Sequence, residues 1–237
     1  MSKKLQIELA GVRFEITTCL DQSLFFSDFL SDSDASDEKI TVCVDEIKAE
    51  CRQSRTNDVF AAERLIIHRK AADMLTAYNA CVCHGAAISC GRKGYLFCGR
   101  SGAGKTTQSS LWEKYLGDRV TVINGDKPII RNENGAITLY SSPWAGKEDR
   151  KTNTFAPLCG ICFIKKGKAN TVTEMSGNCA GRVLGQISLP QEKEALDRTL
   201  ETVDVLLETV PVYELDCDIS EAAFRASFAA LTKEEYK

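Results

Sequence analysis

A glycine-rich stretch in the middle of the chain reads Gly99-Arg100-Ser101-Gly102-Ala103-Gly104-Lys105-Thr106. It matches the pattern G-x-x-x-x-G-K-[ST] at every position. The apolar residues 95–98 precede it, and residues 107–116 carry the apolar spacing of a helix. Strand, glycine-rich loop and helix in that order are the context in which this motif binds phosphate. The stretch therefore predicts an α/β fold with a loop that binds a nucleoside triphosphate.

Each residue type in the motif suits phosphate binding. Glycines let successive backbone N–H groups converge on phosphate oxygen atoms. The helix after the loop presents free N–H groups and about half a positive charge. Lys105 adds a mobile charge at the β- and γ-phosphates, and the Thr106 hydroxyl can bind Mg²⁺. The residues expected to contact ATP are Gly99, Arg100, Ser101, Gly102, Ala103, Gly104, Lys105, Thr106 and Thr107.

A carboxylate for the metal ion is expected at the end of a second strand. Residues 120–123 form an apolar run, and Asp126 follows it closely. Because sites gather at the carboxyl ends of strands in open α/β sheets, we predict that Asp126 binds Mg²⁺ together with Thr106. We expect this strand to lie next to the strand that leads into the loop. The alternative is that Asp126, which precedes a Lys-Pro pair, only forms a turn.

The composition is that of an ordinary globular protein. The 237 residues carry a net charge of −3, with 43% hydrophobic and 27% charged residues, whereas nucleic-acid binders usually have a basic excess. No run approaches the roughly 20 apolar residues of a membrane span. Residues 1–8 lack the apolar core of a secretory signal. We therefore expect a cytoplasmic protein with neither a membrane nor a nucleic acid as partner.

The pattern of apolar residues changes near residue 78. Before it, alternation over residues 5–16 predicts a β-hairpin, residues 40–47 a strand and residues 61–78 a helix. Residues 1–78 are thus predicted to form a small N-terminal α+β region. In residues 79–237, short apolar runs alternate with amphipathic helical patterns. This order predicts a core in which a mixed β-sheet is flanked by helices.

Eleven cysteines are scattered through mainly apolar segments. In a chain of this length without a secretory signal, buried and reduced side chains are the favoured interpretation. Cys159 and Cys162 form a single CxxC pair, whereas a zinc site needs a second such pair. A spacing of three puts the two side chains on opposite faces of a strand, and we predict that both pack in the core.

Two aromatic side chains have competing interpretations. His68 lies in a helical pattern, and we predict a solvated or helix-flanking position for it. Trp144 follows a proline and is followed closely by Lys147, Arg150 and Lys151. An exposed tryptophan with three cations suits a lid over phosphates or a surface for an acidic peptide. Ordinary packing of Trp144 is the alternative.

Three further segments accompany the loop motif. His84-Gly85 stands fifteen residues before Gly99, residues 124–128 read Asn-Gly-Asp-Lys-Pro, and residues 142–146 read Ser-Pro-Trp-Ala-Gly. In this order the motifs resemble those of the HPr kinase/phosphorylase-like proteins. The similarity is strongest to small members of that group, which include lasso-peptide precursor kinases. It covers about residues 60–231.

The resemblance implies the fold that HPr kinase shares with the ATP-dependent phosphoenolpyruvate carboxykinases. It also implies that His84 lies beside the nucleotide phosphates. The family usually has two adjacent aspartates after its second core strand, for Mg²⁺ and for deprotonating the acceptor hydroxyl, but this chain has Gly125 and Asp126 there. Either Asp126 does one of those tasks and another group does the other, or the activity is reduced. Residues 1–78 do not resemble the N-terminal domain of HPr kinase.

These observations lead to three functional hypotheses. The first is an ATP- and Mg²⁺-dependent kinase that phosphorylates a hydroxyl, a serine above all, on a peptide or small protein. Its catalytic residues would be Lys105, Asp126 and His84, with Asp126 or His84 accepting the hydroxyl proton. The second is a nucleotide-binding regulatory module without transfer chemistry, and the third is a kinase of a small-molecule alcohol. The oligomeric state stays open, a homo-oligomer included.

Overall fold

The N-terminal residues form a small three-stranded sheet. The computed structural model describes residues 2–175, 177 and 179–236. Its first strands are β1 (Lys3–Leu9), β2 (Val12–Thr18) and β3 (Glu38–Thr41), with β1 antiparallel and β3 parallel to β2. Ala10 and Gly11 between β1 and β2 have φ angles of 50° and 76°, as a two-residue hairpin turn requires. The hairpin predicted for residues 5–16 is therefore confirmed.

Two helices follow this sheet, α1 (Val44–Gln53) and α2 (Val59–Leu75). The strand predicted for residues 40–47 is wrong in its second half, because β3 ends at Thr41 and α1 begins three residues later. The Glu46 carboxylate accepts a hydrogen bond from the Cys43 N–H at 2.9 Å, which caps the first turn of α1. The helix predicted for residues 61–78 exists as α2. It begins earlier because the Asp58 side chain accepts a hydrogen bond from the Ala61 N–H at 2.9 Å.

The rest of the chain alternates strands and helices. Its elements are β4 (Ala80–Val82), β5 (Gly85–Cys90), β6 (Lys93–Cys98), α3 (Lys105–Leu116), β7 (Val120–Asn124), β8 (Ile129–Glu133), β9 (Ala136–Tyr140), β10 (Phe155–Lys166), β11 (Thr171–Glu174), α4 (Ala180–Leu184), α5 (Lys193–Thr209), β12 (Val212–Cys217) and α6 (Glu221–Thr232). None of these helices, nor α1 or α2 within the described residues, is long and apolar enough to cross a membrane.

The long strand β10 joins all of these strands into one sheet. Its first residues pair antiparallel with β9, which continues through β8 to β4. Its later residues pair in parallel with β6 on one side and β12 on the other. Beyond β6 lie β5 and then β7, each antiparallel to its neighbour. The mixed α/β architecture expected from the sequence is thus observed.

Alternate residues of β6 face different helices. Tyr95 and Phe97 belong to a buried cluster with Trp112 of α3 and Phe224 of α6. Leu96 belongs to a second cluster that includes α4 and α5 residues. Because successive side chains of a strand point to opposite faces, α3 with α6 and α4 with α5 cover opposite faces of the sheet. Burial on both faces fixes β6, including its carboxyl end, where the glycine-rich loop begins.

The N-terminal region packs against the far end of the large sheet. One buried cluster contains Phe14 of β2 and Leu75 of α2 together with Val82 of β4 and Ile129 of β8. The division of the chain near residue 78 stays a prediction, since this apolar cluster is shared by both sides. Through this cluster, α2 is held near the segment that follows β7.

Candidate functional site

Three strand ends bring the predicted site residues to one edge of the sheet. Strands β6 and β7 are both antiparallel to β5, so they end where β5 begins. The glycine-rich loop leaves β6 at this edge, His84 directly precedes β5, and Asp126 follows β7 by two residues. The expectation that β7 lies next to β6 is wrong, because β5 is inserted between them. Because β5 runs antiparallel to β6 and β7, it begins at this edge, and His84 directly precedes it.

The glycine-rich loop connects β6 to α3 through left-handed backbone conformations. Gly99, Gly102 and Gly104 have φ angles of 143°, 75° and 112°, which residues with a Cβ atom rarely adopt. A Cβ atom at Gly99 would also lie 3.0 Å from the Ala103 Cβ and 3.2 Å from the Ile164 carbonyl oxygen. The Lys105 ammonium donates a hydrogen bond to the Gly99 carbonyl oxygen at 3.0 Å. The lysine therefore folds back along the loop.

His84 and Asp126 are in contact across this edge. The His84 Nε2 and Asp126 Oδ1 atoms are 3.3 Å apart, and each side chain is about one third exposed. Burial raises the pKa of Asp126, but the His84 side chain and the charges of Lys127 and Lys105 outweigh it and leave this pKa below its ordinary value. Burial lowers the pKa of Lys105, and the charge of Asp126 opposes that shift. Asp126 is consequently ionised at neutral pH.

Asn124 fixes the turn that carries Asp126. This side chain is fully buried, and its Oδ1 atom accepts hydrogen bonds from the N–H groups of Asp126 and Lys127 at 2.9 and 2.7 Å. Its Nδ2 atom donates to the Ser142 carbonyl oxygen at 2.9 Å. The sequence analysis did not single out Asn124 as a positioning residue. An asparagine two residues before Asp126 is the ordinary signal of such a side-chain turn, so it could have been found.

The backbone of a neighbouring segment packs closely around Gly125, the residue before Asp126. A Cβ atom at Gly125 would lie 3.2 Å from each of the carbonyl oxygens of Ala145 and Arg150. The Gly125 N–H donates to the same Arg150 oxygen at 2.9 Å. The segment after Trp144 thus lies against the glycine backbone. At Gly146, a Cβ atom would lie 3.0 Å from the Asp126 Cβ, so both glycines allow this segment to approach the carboxylate.

A cavity of about 450 Å³ contains most of the predicted site. It is lined by His84, Ser101, Gly102, Gly104, Lys105, Thr106, Thr107, Gly125, Asp126, Ala145, Gly146, Lys147, Glu148 and Arg150. Of the predicted residues, Gly99, Arg100 and Ala103 do not line it. They face a neighbouring cavity of about 730 Å³, which also contains Arg182. Both cavities share Ser101 and Gly102, so the loop forms the wall between them.

The segment of cations after Trp144 is anchored to α3. The Arg150 guanidinium donates to the Ser110 hydroxyl at 2.8 Å and pairs with Glu113, and Lys151 pairs with Asp149 at 2.5 Å. These contacts fix the segment whose residues Lys147, Glu148 and Arg150 line the cavity. The sequence analysis named these cations as a group and did not foresee their pairing.

His68 and the CxxC pair require corrections. His68 was expected to be solvated or helix-flanking, but it lies inside α2, is only 8% exposed, and its ring packs edge-on against Trp144 with centroids 4.9 Å apart. Cys159 and Cys162 were expected on opposite faces of a strand, yet both contact the same apolar cluster. The register of β10 against β6 shifts at residue 159, and such a bulge turns the following side chains over. Cys162 is buried in the core as predicted, whereas Cys159 is only partly buried and packs against the edge of that cluster.

Neither a family model nor a curated protein sequence matches the chain. Among solved structures, it is similar to the Hpr(Ser) kinase/phosphatase from Coxiella burnetii, with 12% sequence identity and a TM-score of 0.36 over 64% of this chain and 93% of that chain. Values this low carry no functional inference. The assignment of function rests on the motifs and on the geometry of the site.

Proposed function

We propose that this protein is an ATP- and Mg²⁺-dependent kinase that transfers the γ-phosphoryl group to a hydroxyl, a serine above all, of a peptide or small protein in the cytoplasm. One observation carries the proposal. The contacting side chains of His84 and Asp126 face the same cavity as Lys105 and the first turn of α3. Phosphoryl transfer to a hydroxyl needs a base, a carboxylate ligand for a cation and a phosphate-binding surface.

The loop and α3 supply the groups that would bind the phosphates. The first N–H groups of a helix have no partner within it and carry its positive partial charge. In α3 these groups belong to the residues from Lys105 onward, and the Thr106 and Thr107 residues line the cavity. The Lys105 ammonium, now on the Gly99 carbonyl oxygen, would move to the β- and γ-phosphates.

The residues present fit a magnesium ion. The Thr106 hydroxyl and the Asp126 carboxylate line one cavity, and both are the hard oxygen ligands that Mg²⁺ prefers. The lowered pKa keeps Asp126 anionic. Mg²⁺ is commonly held by one or two carboxylates together with substrate phosphates, so a single aspartate suffices. When bound, the ion would neutralise charge that develops on the β- and γ-phosphate oxygens.

His84 is the better candidate for the proton acceptor. A carboxylate with a lowered pKa is a weak base, and Asp126 is committed to the cation. The acceptor oxygen would form a bond to the γ-phosphorus while the bond from that phosphorus to the β–γ bridging oxygen breaks and ADP leaves. The hydroxyl proton would pass to His84, and the Asp126 carboxylate, 3.3 Å from the imidazole, would stabilise the positive charge. Asp126 would thus bind the cation and His84 would deprotonate the acceptor hydroxyl, the two tasks for which the family usually has two aspartates.

A regulatory module without transfer chemistry is the second candidate. The glycine at position 125 favours it, because the second carboxylate of the family is missing there and its Cβ atom would crowd two carbonyl oxygens at 3.2 Å. Such a module would bind ATP through the same loop and transfer nothing. A kinase of a small alcohol would transfer phosphate, but with no preference for peptides.

Nucleotide binding is tested first by thermal unfolding. Mg-ATP at a hundredfold excess over its Kd should stabilise the folded state by about 2.7 kcal/mol. Lys105→Ala should lose most of that stabilisation. Lys114→Ala is the matched control, since Lys114 is an exposed residue further along α3, and it should keep the full shift. An unchanged melting temperature of the wild type in saturating Mg-ATP would contradict the proposal.

A further inference from the structure

Asp126 also borders a second cavity, which is distinct from the 730 Å³ cavity beside Gly99 and Arg100. Its volume is about 310 Å³, and it shares Asp126, Ala145 and Gly146 with the cavity that contains the loop. One wall is a single face of α2, formed by residues at the spacing i, i+3, i+4 and i+7, namely Ala61, Arg64, Leu65 and His68. Pro143 and Trp144 also line this cavity. The carboxylate thus borders two cavities, only one of which the phosphates would occupy.

The aromatic wall of this second cavity is held in place. The Trp144 indole N–H donates to the Arg64 carbonyl oxygen at 3.1 Å. Its ring also packs edge-on against Phe26, with centroids 6.1 Å apart, and the Arg64 guanidinium lies 4.3 Å above the Phe25 ring. A rigid aromatic surface loses little conformational entropy when it covers an apolar ligand. Trp144 therefore forms part of a fixed wall packed against α2, and not the lid over phosphates that the sequence suggested.

His68 provides polar atoms without a partner at this cavity. The side chain is more than nine-tenths buried, and neither ring nitrogen has a hydrogen-bond partner among the described residues. A neutral imidazole has one donor and one acceptor, and leaving buried polar atoms unpaired costs free energy. A polar group that enters the cavity would relieve this cost.

Two cations, Arg64 and Lys127, line the cavity. Arg64 donates a hydrogen bond to the neutral Gln22 side chain at 2.8 Å, and the charge of Lys127 acts on the neighbouring Asp126, but neither cation has a carboxylate within ion-pair distance among the described residues. Asp149, which also lines it, is paired with Lys151. A ligand that suits this lining has an apolar part and a carboxylate. Outside the cavity, the half-exposed Phe60 of α2 directly precedes Ala61 of its wall, and a peptide would cover this apolar side chain whereas a small alcohol would not.

We propose that this second cavity binds the acceptor, and that the acceptor is a peptide segment with a large apolar side chain and an acidic residue next to the hydroxyl-bearing residue. The apolar side chain lies against Leu65 of α2 and the Trp144 ring, the carboxylate faces Arg64 and Lys127, and the hydroxyl extends past Asp126 into the cavity that contains His84 and the glycine-rich loop. This inference rests on the proposed kinase function. It adds that the N-terminal region forms half of the acceptor site.

Peptide binding without nucleotide tests this inference separately from catalysis. The chain has two tryptophans, and Trp112 is fully buried in the core, so a ligand in the second cavity should change the emission of Trp144. The probes are the acetylated and amidated peptides Gly-Leu-Ser-Glu-Gly and Gly-Glu-Ser-Leu-Gly. We expect at least one of them to change the emission saturably. Replacing its leucine by alanine should weaken binding at least about tenfold, and replacing its glutamate by lysine should weaken it too.

A pair of matched variants completes the experiment. Leu65→Ala should weaken peptide binding about tenfold. Leu200→Ala, at a residue of α5 with 36% exposure against 39% for Leu65, should leave it unchanged. Equal binding by wild type and Leu65→Ala, or equal binding of leucine and alanine peptides, would overturn the inference.

Transfer assays with the same peptides separate the two proposals. If phosphate from ATP reaches the leucine and alanine peptides equally fast, the kinase function stands and the acceptor site is wrong. If the leucine peptide binds as expected and receives no phosphate, the cavity is a peptide site and the kinase function is wrong.

Discussion

His68 should make the protein less stable as the pH falls from neutral to about 4. Its imidazole is buried under Trp144, and burial, reinforced by the nearby charge of Lys127 and opposed by that of Asp126, lowers its pKa to about 4 from an ordinary value of 6.5. The folded state therefore resists protonation of a group that the unfolded state protonates readily.

The sign and size of the effect follow from this difference in pKa. Above pH 6.5 the histidine is neutral in both states and contributes nothing. Between pH 6.5 and about 4 the unfolded state binds the extra proton, so the free energy of unfolding falls with falling pH. A tenfold change in proton affinity corresponds to about 1.4 kcal/mol, so lowering the pKa from 6.5 to about 4 makes the loss about 3 kcal/mol by pH 4. Below about pH 4 both states are protonated and the loss stops growing.

Urea unfolding from pH 7 to pH 4 measures this loss. Other titrating groups contribute equally to closely related variants, so the informative quantity is a difference. His68→Gln should show about 3 kcal/mol less destabilisation over this range than the wild type. Leu200→Ala, which removes no titrating group, should keep the wild-type dependence. Identical pH dependences of wild type and His68→Gln, or an imidazole resonance of His68 that titrates at 6.5 or above, would refute the reasoning.

Two further predictions concern the glycine beside Asp126 and the cysteines. Gly125→Asp should lower the free energy of unfolding by about 1–3 kcal/mol, because the new Cβ atom would crowd two carbonyl oxygens. Gly181→Asp, where a Cβ atom meets nothing within 4 Å, should lower it less. Equal losses for the two variants in urea unfolding would contradict the packing argument. Thiol titration of the native protein should modify Cys43 first, since it is the exposed cysteine of the described chain, and Cys43→Ser should remove that fast phase. A chelator should leave the melting temperature unchanged, and stoichiometric zinc in the purified protein would revive Cys159 and Cys162 as metal ligands.

Local patterns in the sequence predict the elements that depend on neighbouring residues. The hairpin at Ala10-Gly11, the helix α2 and the strand–loop–helix unit around Lys105 all follow from spacing, glycine positions and capping. The same holds for the placement of Asp126 at a strand end. In each case the decisive interactions lie within a few residues of one another.

Contacts between distant residues explain what the sequence did not predict. The burial of His68 depends on Trp144, which lies 76 residues further along the chain and whose position depends on how the segment after β9 returns to α2. Similarly, the bulge at Cys159 appears only when β10 pairs with β6. The insertion of β5 between β6 and β7 is a matter of topology. No periodicity in the chain encodes these arrangements.

The rate of phosphate transfer by Asp126→Asn tests the central claim most directly. Asparagine keeps the shape of the side chain and loses its negative charge, and removal of one such electrostatic contact commonly lowers a rate by ~10²–10³. Labelled γ-phosphate transfer from ATP to a serine peptide should fall at least that far, while Mg-ATP affinity falls little because binding rests mainly on the loop and Lys105. Asp118→Asn, at an exposed aspartate after α3, should transfer at the wild-type rate. If Asp126→Asn transfers phosphate as fast as the wild type, Asp126 is not the catalytic carboxylate; if the wild type binds Mg-ATP and transfers phosphate to no hydroxyl, the protein is a regulatory module and the kinase proposal is wrong.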